Sequence, residues 1–197
     1  MYEGPDPRNR RVPLSPDRYD QRWEELAASG ADVHGEADLV AGLVPRRGAV
    51  LDAGCGTGRV AIELARRGHP TVGVDIDDAL LDRARAKAPE LEWRLGDLAA
   101  LPGSVAPGPF SAAVLAGNVM IFIARGTAPA VLANVARRLA PGGLVVAGFQ
   151  LTGRLTLAEY DDAAAAAGLV PVDRFATWDR EPYTGGDYVV TVDSRRI

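Results

Sequence analysis

At 197 residues, with 47% apolar and 24% charged side chains, the chain has the size and composition of a single domain able to bury a proper core. A net charge of −4 and a pI near 5.2 argue against a nucleic-acid substrate, which calls for a basic face. No apolar run is long enough to span a membrane and Met1 does not lead into a signal peptide, while a single cysteine, Cys55, excludes an intrachain disulfide and fits a reducing cytoplasm.

Residues Met1 to about Pro16 carry four prolines and several charges, among them Arg8, Arg10 and Arg11, and read as a solvated tail. Ser15-Pro16-Asp17 is a helix start, with Ser15 as cap and proline in the first turn. That helix runs through Tyr19 and Trp23 to Ala28 and is closed by Gly30. A second helix, about Gly35 to Leu43, leads to Pro45. The next segment, Val50 to Gly58, is a short apolar run ending in Asp52, followed by glycines at 54, 56 and 58. A strand turning abruptly into a helix needs glycine for positive φ and for close approach of a ligand. The N–H groups of such a turn face one space, a site for carboxylate or phosphate. Asp52 is out of place beside a phosphate, so a cationic group is the better partner, which points to an amino-acid-bearing nucleoside. The competing dinucleotide fingerprint would place its third glycine at Arg59, one residue past Gly58.

After a helix over Arg59–Arg67, Gly68-His69-Pro70 is a stop signal. Thr71 to Asp75 reads as a buried strand, and Asp75 stands about 20 residues past the glycine turn, the spacing that brings a carboxylate to ribose hydroxyls. A helix from Asp77 to Ala88 follows, then a third strand from Leu91 to Asp97. Three acids at three strand ends share the carboxyl edge of one parallel sheet, where ligands of open α/β folds bind. Gly103–Pro109 is a loop and Phe110–Ala116 the fourth strand, with Gly117 and Asn118 on the same edge beside the glycine turn. Thr127 is expected to cap a helix that runs to Leu139, and Pro141-Gly142-Gly143 to turn into a fifth strand over Leu144–Phe149. Thr156 to Glu159 is a capping box opening a helix that ends at Gly168. Two last strands, about Leu169–Trp178 and Tyr188–Ser194, complete the order.

The run Val50–Gly58, with Gly73 to Asp77, Gly96-Asp97-Leu98 and Leu139 to Gly143, resembles the class I S-adenosylmethionine-dependent methyltransferases, in their small-molecule branch with a standalone Rossmann-like domain. The motifs cover roughly Val50 to Gln150. The resemblance implies a seven-stranded, mostly parallel sheet with an antiparallel seventh strand and helices on both faces. Residues 1–35 would be a tail and capping helix, and 36–197 the S-adenosylmethionine-binding domain. It implies that Gly54 and Gly56 back the methionine part of the cofactor, with Gly58 completing the turn and Asp52 beside the ammonium group. Asp75 would hold the ribose hydroxyls and Ile76 pack on the adenine. Asp97 would accept from the adenine amino group, with Leu98 beside the ring. Gly117 and Asn118 would border the cofactor.

The acceptor is expected under a roof made by the N-terminal segment, with Tyr19, Trp23, Met120, Phe122, Trp178 and Tyr183 as apolar or aromatic lining. Transfer from a sulfonium is an in-line displacement needing alignment above all, so no metal is expected, and no His/Cys/Asp cluster has ligand spacing. Asn118 is the polar candidate near the transferred methyl, either orienting the acceptor or holding the cofactor. His69 falls at the amino edge, remote from the site, and His34 between the first two helices. Cys55 reads as a small turn residue. Neither an Asn/Asp-Pro-Pro-Tyr/Phe signature nor a Pro-Cys nucleophile follows the fourth strand, which disfavours methylation of nucleic-acid bases. The reading is a cytoplasmic enzyme methylating oxygen or nitrogen of a small molecule, of undetermined oligomeric state. A nicotinamide-dependent oxidoreductase and a non-catalytic cofactor-binding module are the alternatives.

Overall fold

The computed structural model describes residues 16–151 and 153–196. Seven strands form one sheet in the order β3-β2-β1-β4-β5-β7-β6. The central strands β1 (Val50–Ala53), β2 (Thr71–Asp75), β3 (Glu92–Leu95), β4 (Phe110–Leu115) and β5 (Leu139–Gln150) run parallel. The chain then places β6 (Leu169–Phe175) at the edge and inserts β7 (Tyr188–Arg195) antiparallel between β5 and β6. This is the expected sheet.

Helices α1 (Pro16–Ala28), α2 (Gly35–Leu43), α3 (Arg59–Arg66), α4 (Asp78–Lys87), α5 (Val119–Phe122), α6 (Ala128–Ala136) and α7 (Leu157–Ala166) connect the strands. Successive strand residues point to opposite faces, so each central strand feeds two cores. Leu51, Ala53, Ala113, Leu115, Val145 and Phe149 meet α5, α6 and α7 on one face. Val50, Ala112, Val114, Val146, Val190 and Val192 meet α2 and α3 on the other.

Local signals place most boundaries. Asp77 caps α4, its carboxylate accepting from the N–H groups of Ala79 and Leu80. Thr156 and Glu159 form the expected capping box. The second helix and β2 fall where the sequence puts them. Four expectations need correction. Thr127 does not cap α6 with its side chain; its hydroxyl donates to Ala124 O at 2.7 Å instead. The helix α6 stops at Ala136, because Leu139 already pairs with Phe110. The Pro141-Gly142-Gly143 segment therefore lies inside β5 as a bulge, and a Cβ on Gly143 would fall 3.0 Å from Phe110 O. The strand β6 ends at Phe175, short of Trp178.

The Gly103–Pro109 loop is held by a side chain that its own composition does not reveal. Arg138 is 4% exposed and its guanidinium donates to the carbonyls of Val105, Leu101, Pro102 and Asn134. The rigid fork of arginine suits such a fan of carbonyls. Arg138→Ala leaves buried acceptors unsatisfied, and a loss of about 3 kcal/mol is expected, checked by urea unfolding. A change below about 0.5 kcal/mol would show that water replaces the fork without cost.

Candidate active site

The glycine turn joins β1 to α3 at the carboxyl edge of the sheet, and its three glycines serve three different purposes. All three have positive φ, at 86°, 54° and 85°. A Cβ on Gly54 would run into the side chain of Val119 at the start of α5. A Cβ on Gly58 would come within 2.5 Å of Trp93 Cη2. That indole also lies against Gly73, is 7% exposed, and donates from Nε1 to Ala88 O at 2.9 Å. Gly58, expected to border the cofactor, is buried and also leaves the room that Trp93 occupies beneath the turn. Only Gly56 has open space before it.

Two acids at strand ends, Asp75 and Asp52, brace this turn and the helix that follows it. Asp75 Oδ2 accepts from Gly56 N at 2.7 Å and Oδ1 from Asp77 N at 2.9 Å. Its carboxyl is pushed up, burial being the main cause and these N–H donors opposing it. Asp52 is 1% exposed and its Oδ2 accepts from Ala61 N, in the first turn of α3, at 3.0 Å. Burial raises its carboxyl from an ordinary 3.8 to about 7, against the lowering pull of that N–H and of Arg59. Asp97 starts a short 3-10 turn over Leu98–Ala100, accepting from Ala99 N at 2.8 Å. Ile76, directly after β2, is 59% exposed. Leu98 is buried in the core that includes Leu101 and Val131, so its side chain faces the domain interior. Burial also pushes the Cys55 thiol well up, as suits an inert turn residue.

Asn118 sits beyond β4 at φ 69°, next to Gly117 at φ 65°. Its Oδ1 accepts from Gln150 N at 2.7 Å and its N–H donates to Gly148 O at 3.3 Å. It clips the end of β4 to the end of β5, a structural duty outside both roles anticipated for it. Asn118→Ala loses the clip and puts a β-carbon where φ favours Asn or Gly. A loss of about 1–2 kcal/mol in unfolding free energy is expected, with Asn118→Gly losing less. Equal losses would discount the backbone contribution.

The expected lining residues do not share one pocket. Trp23 on α1 lies under the Arg59 guanidinium, 3.8 Å from ring centroid to Cζ. Trp178 covers Gly148 and packs on Gly35 at the start of α2. These two stand on the α2–α3 side. Met120, in contrast, is 1% exposed and belongs to the opposite core, against which Tyr183 also packs. Their shared strand-edge position in the sequence hides the face each side chain takes: Trp178 and Tyr183 belong to one connection, between β6 and β7, yet pack on opposite sides of the sheet. Phe122 is 67% exposed. Ser15 and the side chain of Tyr19 lie outside the described residues. His34 precedes α2 with Nδ1 3.9 Å from Glu63 Oε2. His69 is at the amino edge, its Nδ1 3.1 Å from Gly48 O.

Several site residues carry no sequence signal because they meet across long separations. Arg59 pairs with Glu36 through two nitrogens, at 2.9 and 2.5 Å, and also donates to Val33 O. Asp20 of α1 accepts from Thr57 Oγ1 and Lys87 Nζ, both at 2.6 Å. The first helix is thereby latched directly onto the glycine turn.

A family model described as a methyltransferase domain matches residues 50–143. A TehB-like S-adenosylmethionine-dependent methyltransferase from Corynebacterium glutamicum is 38% identical, with a TM-score of 0.85 over 93% of this chain and 100% of that one. The chain belongs to the class I S-adenosylmethionine-dependent methyltransferases. S-adenosylmethionine is accordingly its cofactor, and the nicotinamide alternative is set aside. Among curated relatives, magnesium-protoporphyrin O-methyltransferase of Rhodobacter capsulatus is 46% identical over 55 residues, 25% of each chain. A probable ribosomal RNA small subunit methyltransferase A of Pyrobaculum aerophilum is 32% identical over 133 residues, 62% of this chain and 54% of that protein. The chain thus spans about a quarter to a half of these relatives' lengths, and their acceptors differ in kind.

The turn fits the family's cofactor. Gly56 opens onto free space, Asp75 stands at the neighbouring strand end, and Ile76 offers an uncovered apolar surface. Among the described residues no three His, Cys, Asp or Glu side chains are grouped to hold a metal ion, and no helix is long and apolar enough to cross a membrane.

Proposed function

We propose that this methyltransferase transfers a methyl group to oxygen or nitrogen of a small cytoplasmic molecule. When bound, the cofactor supplies an electrophilic methyl on a positive sulfur. The chain's part is to hold the two reactants in line and exclude water, which can contribute several powers of ten in rate. Asp52 would face the cofactor's ammonium group with the oxygen not given to Ala61. Asp75 would take ribose hydroxyls on the carboxylate lone pairs left by Gly56 and Asp77. Ile76 would cover one face of the adenine, while Asp97 and the Leu98 backbone meet its edge. Gly54 and Gly117 would flank the methionine arm. Residues 1–35 would act as the cover over residues 36–197.

The observation that carries this reading is the latch of α1 on the turn, through Asp20 with Thr57 and Lys87 and through Trp23 with Arg59. A helix held against the turn stands where a folded macromolecule would have to approach it, which favours a small acceptor. The net charge of −4 also disfavours a phosphate backbone as substrate. The test is a panel of small phenols, amines and carboxylates, with a structured RNA as comparison, monitored by S-adenosylhomocysteine release. Turnover of RNA alone would sink the proposal.

A further inference from the structure

Tyr188 opens β7 and pairs with Gln150 at the end of β5, the residue that Asn118 clips. Its hydroxyl lies 2.9 Å from Trp178 Nε1. An indole nitrogen only donates, so Tyr188 is the acceptor in this pair and its own hydrogen must be directed elsewhere. Among the described residues no acceptor takes that hydrogen. The phenol is pushed up to about 12, chiefly by burial, and it keeps the hydrogen throughout the neutral range. At this partly exposed edge the hydrogen is open to solvent, and a molecule with an acceptor atom can take it by displacing that water.

The surroundings say what kind of molecule fits. The hydroxyl stands 2.7 Å from where a Cβ on Gly148 would be, and Trp178 Cβ 3.3 Å from the same point on Gly35. The pair therefore fills the corner between the start of α2 and the ends of β5 and β7. It presents an apolar indole beside one polar hydrogen. The nearby charges of Glu36 and Arg59 are matched to each other at 2.5 Å. A molecule reaching Tyr188 meets a neutral donor rather than an uncompensated charge.

We infer that Tyr188, oriented by Trp178, donates a hydrogen bond to the methyl acceptor, and that the acceptor is a neutral molecule with a lone-pair oxygen or nitrogen next to an apolar body. This rests on the reading of this sheet edge as the methyl-transfer site. A donor on the attacking atom would draw on its lone pair, so the contribution of Tyr188 belongs to binding and selection rather than to the chemical step.

Phenol serves as the probe, with the protein loaded with S-adenosylhomocysteine. Calorimetry with S-adenosylhomocysteine alone comes first; no binding there defeats the proposed function itself, and the inference falls with it. In the loaded protein carrying 13C-labelled tyrosine, the Tyr188 Cζ resonance is expected to shift on addition of phenol. Tyr188→Phe is expected to weaken phenol binding at least fivefold while leaving S-adenosylhomocysteine affinity unchanged. The labelled wild-type protein gives an answer even where the variant folds poorly. Trp178→Phe, which keeps the hydroxyl, should weaken phenol less than Tyr188→Phe does. Absence of phenol binding, an unmoved Tyr188 resonance at saturation, equal binding by Tyr188→Phe, or the reverse order of the two variants overturns the inference.

Discussion

Replacing Asp52 by asparagine is expected to make the protein more stable at pH 8 and poorer at holding its cofactor. The carboxyl is raised from an ordinary 3.8 to about 7 by burial. An acid raised in the folded state costs nothing where both states are protonated, below about pH 4. As pH climbs from there towards 7 the unfolded chain loses its proton first and stability falls. Above 7 the cost is constant, on the order of 4 kcal/mol. Asparagine carries no charge and can still accept from Ala61 N, so a gain of about 2–4 kcal/mol is expected at pH 8. That gain should shrink to near zero by pH 4. Urea unfolding at several pH values measures it, and a gain independent of pH would refute the assignment.

The same acid links cofactor binding to pH. A cation placed beside Asp52 favours its ionised form, so cofactor affinity should rise with pH up to about 7 and then level off. Calorimetry in buffers of different ionisation heat would register release of a fraction of a proton on binding below pH 7. Affinity that is flat from pH 5 to 8, or unchanged in Asp52→Asn, would remove Asp52 from the cofactor's surroundings.

Asp75→Ala has the second large expected effect, a loss of about 2–4 kcal/mol in S-adenosylhomocysteine binding, or roughly 30- to 1,000-fold. Two causes combine. The ribose would lose charge-assisted hydrogen bonds, and Gly56 N would lose the 2.7 Å bond that sets the open part of the turn. Asp75→Asn separates them, because an amide oxygen can still accept from Gly56 N. Asn retaining most of the affinity that Ala loses would assign the effect to the turn; equal losses would assign it to the ribose. Affinity unaltered in both variants would move the ribose away from this strand end.

What could be read from the sequence divides along a physical line. β2 and α2 match their expected residues because apolar runs end at Gly, Pro or an acid, and such punctuation acts locally. The acids at 52, 75 and 97 could be set on one edge because parallel strands joined by helices must end together. Pro141-Gly142-Gly143 has every local mark of a turn, yet Phe110, some thirty residues away, draws it into β5. That Gly58 also has to admit the Trp93 indole beneath the turn shows only in three dimensions. Met120 and Tyr183 could not be assigned a face, since that depends on the path of the chain within each connection. The pair Arg59–Glu36 and the latch Asp20–Thr57 join residues 23 and 37 positions apart, beyond any spacing rule. Tyr188 has no mark in the sequence, because the direction of its hydrogen follows only from the donation by Trp178.

The insertion of β7 between β5 and β6 bears on how the chain is made. Synthesis delivers β6 before β7, yet β6 reaches the rest of the sheet only through β7. Until Tyr188–Arg195 has left the ribosome, the long flank of β5 is an open edge with unpaired backbone groups, the kind of surface on which strands of other chains add. The nascent protein must keep that flank occupied or shielded until β7 has emerged and paired with it. A stalled or truncated product lacking β7 would then be the species most prone to aggregate in the cell.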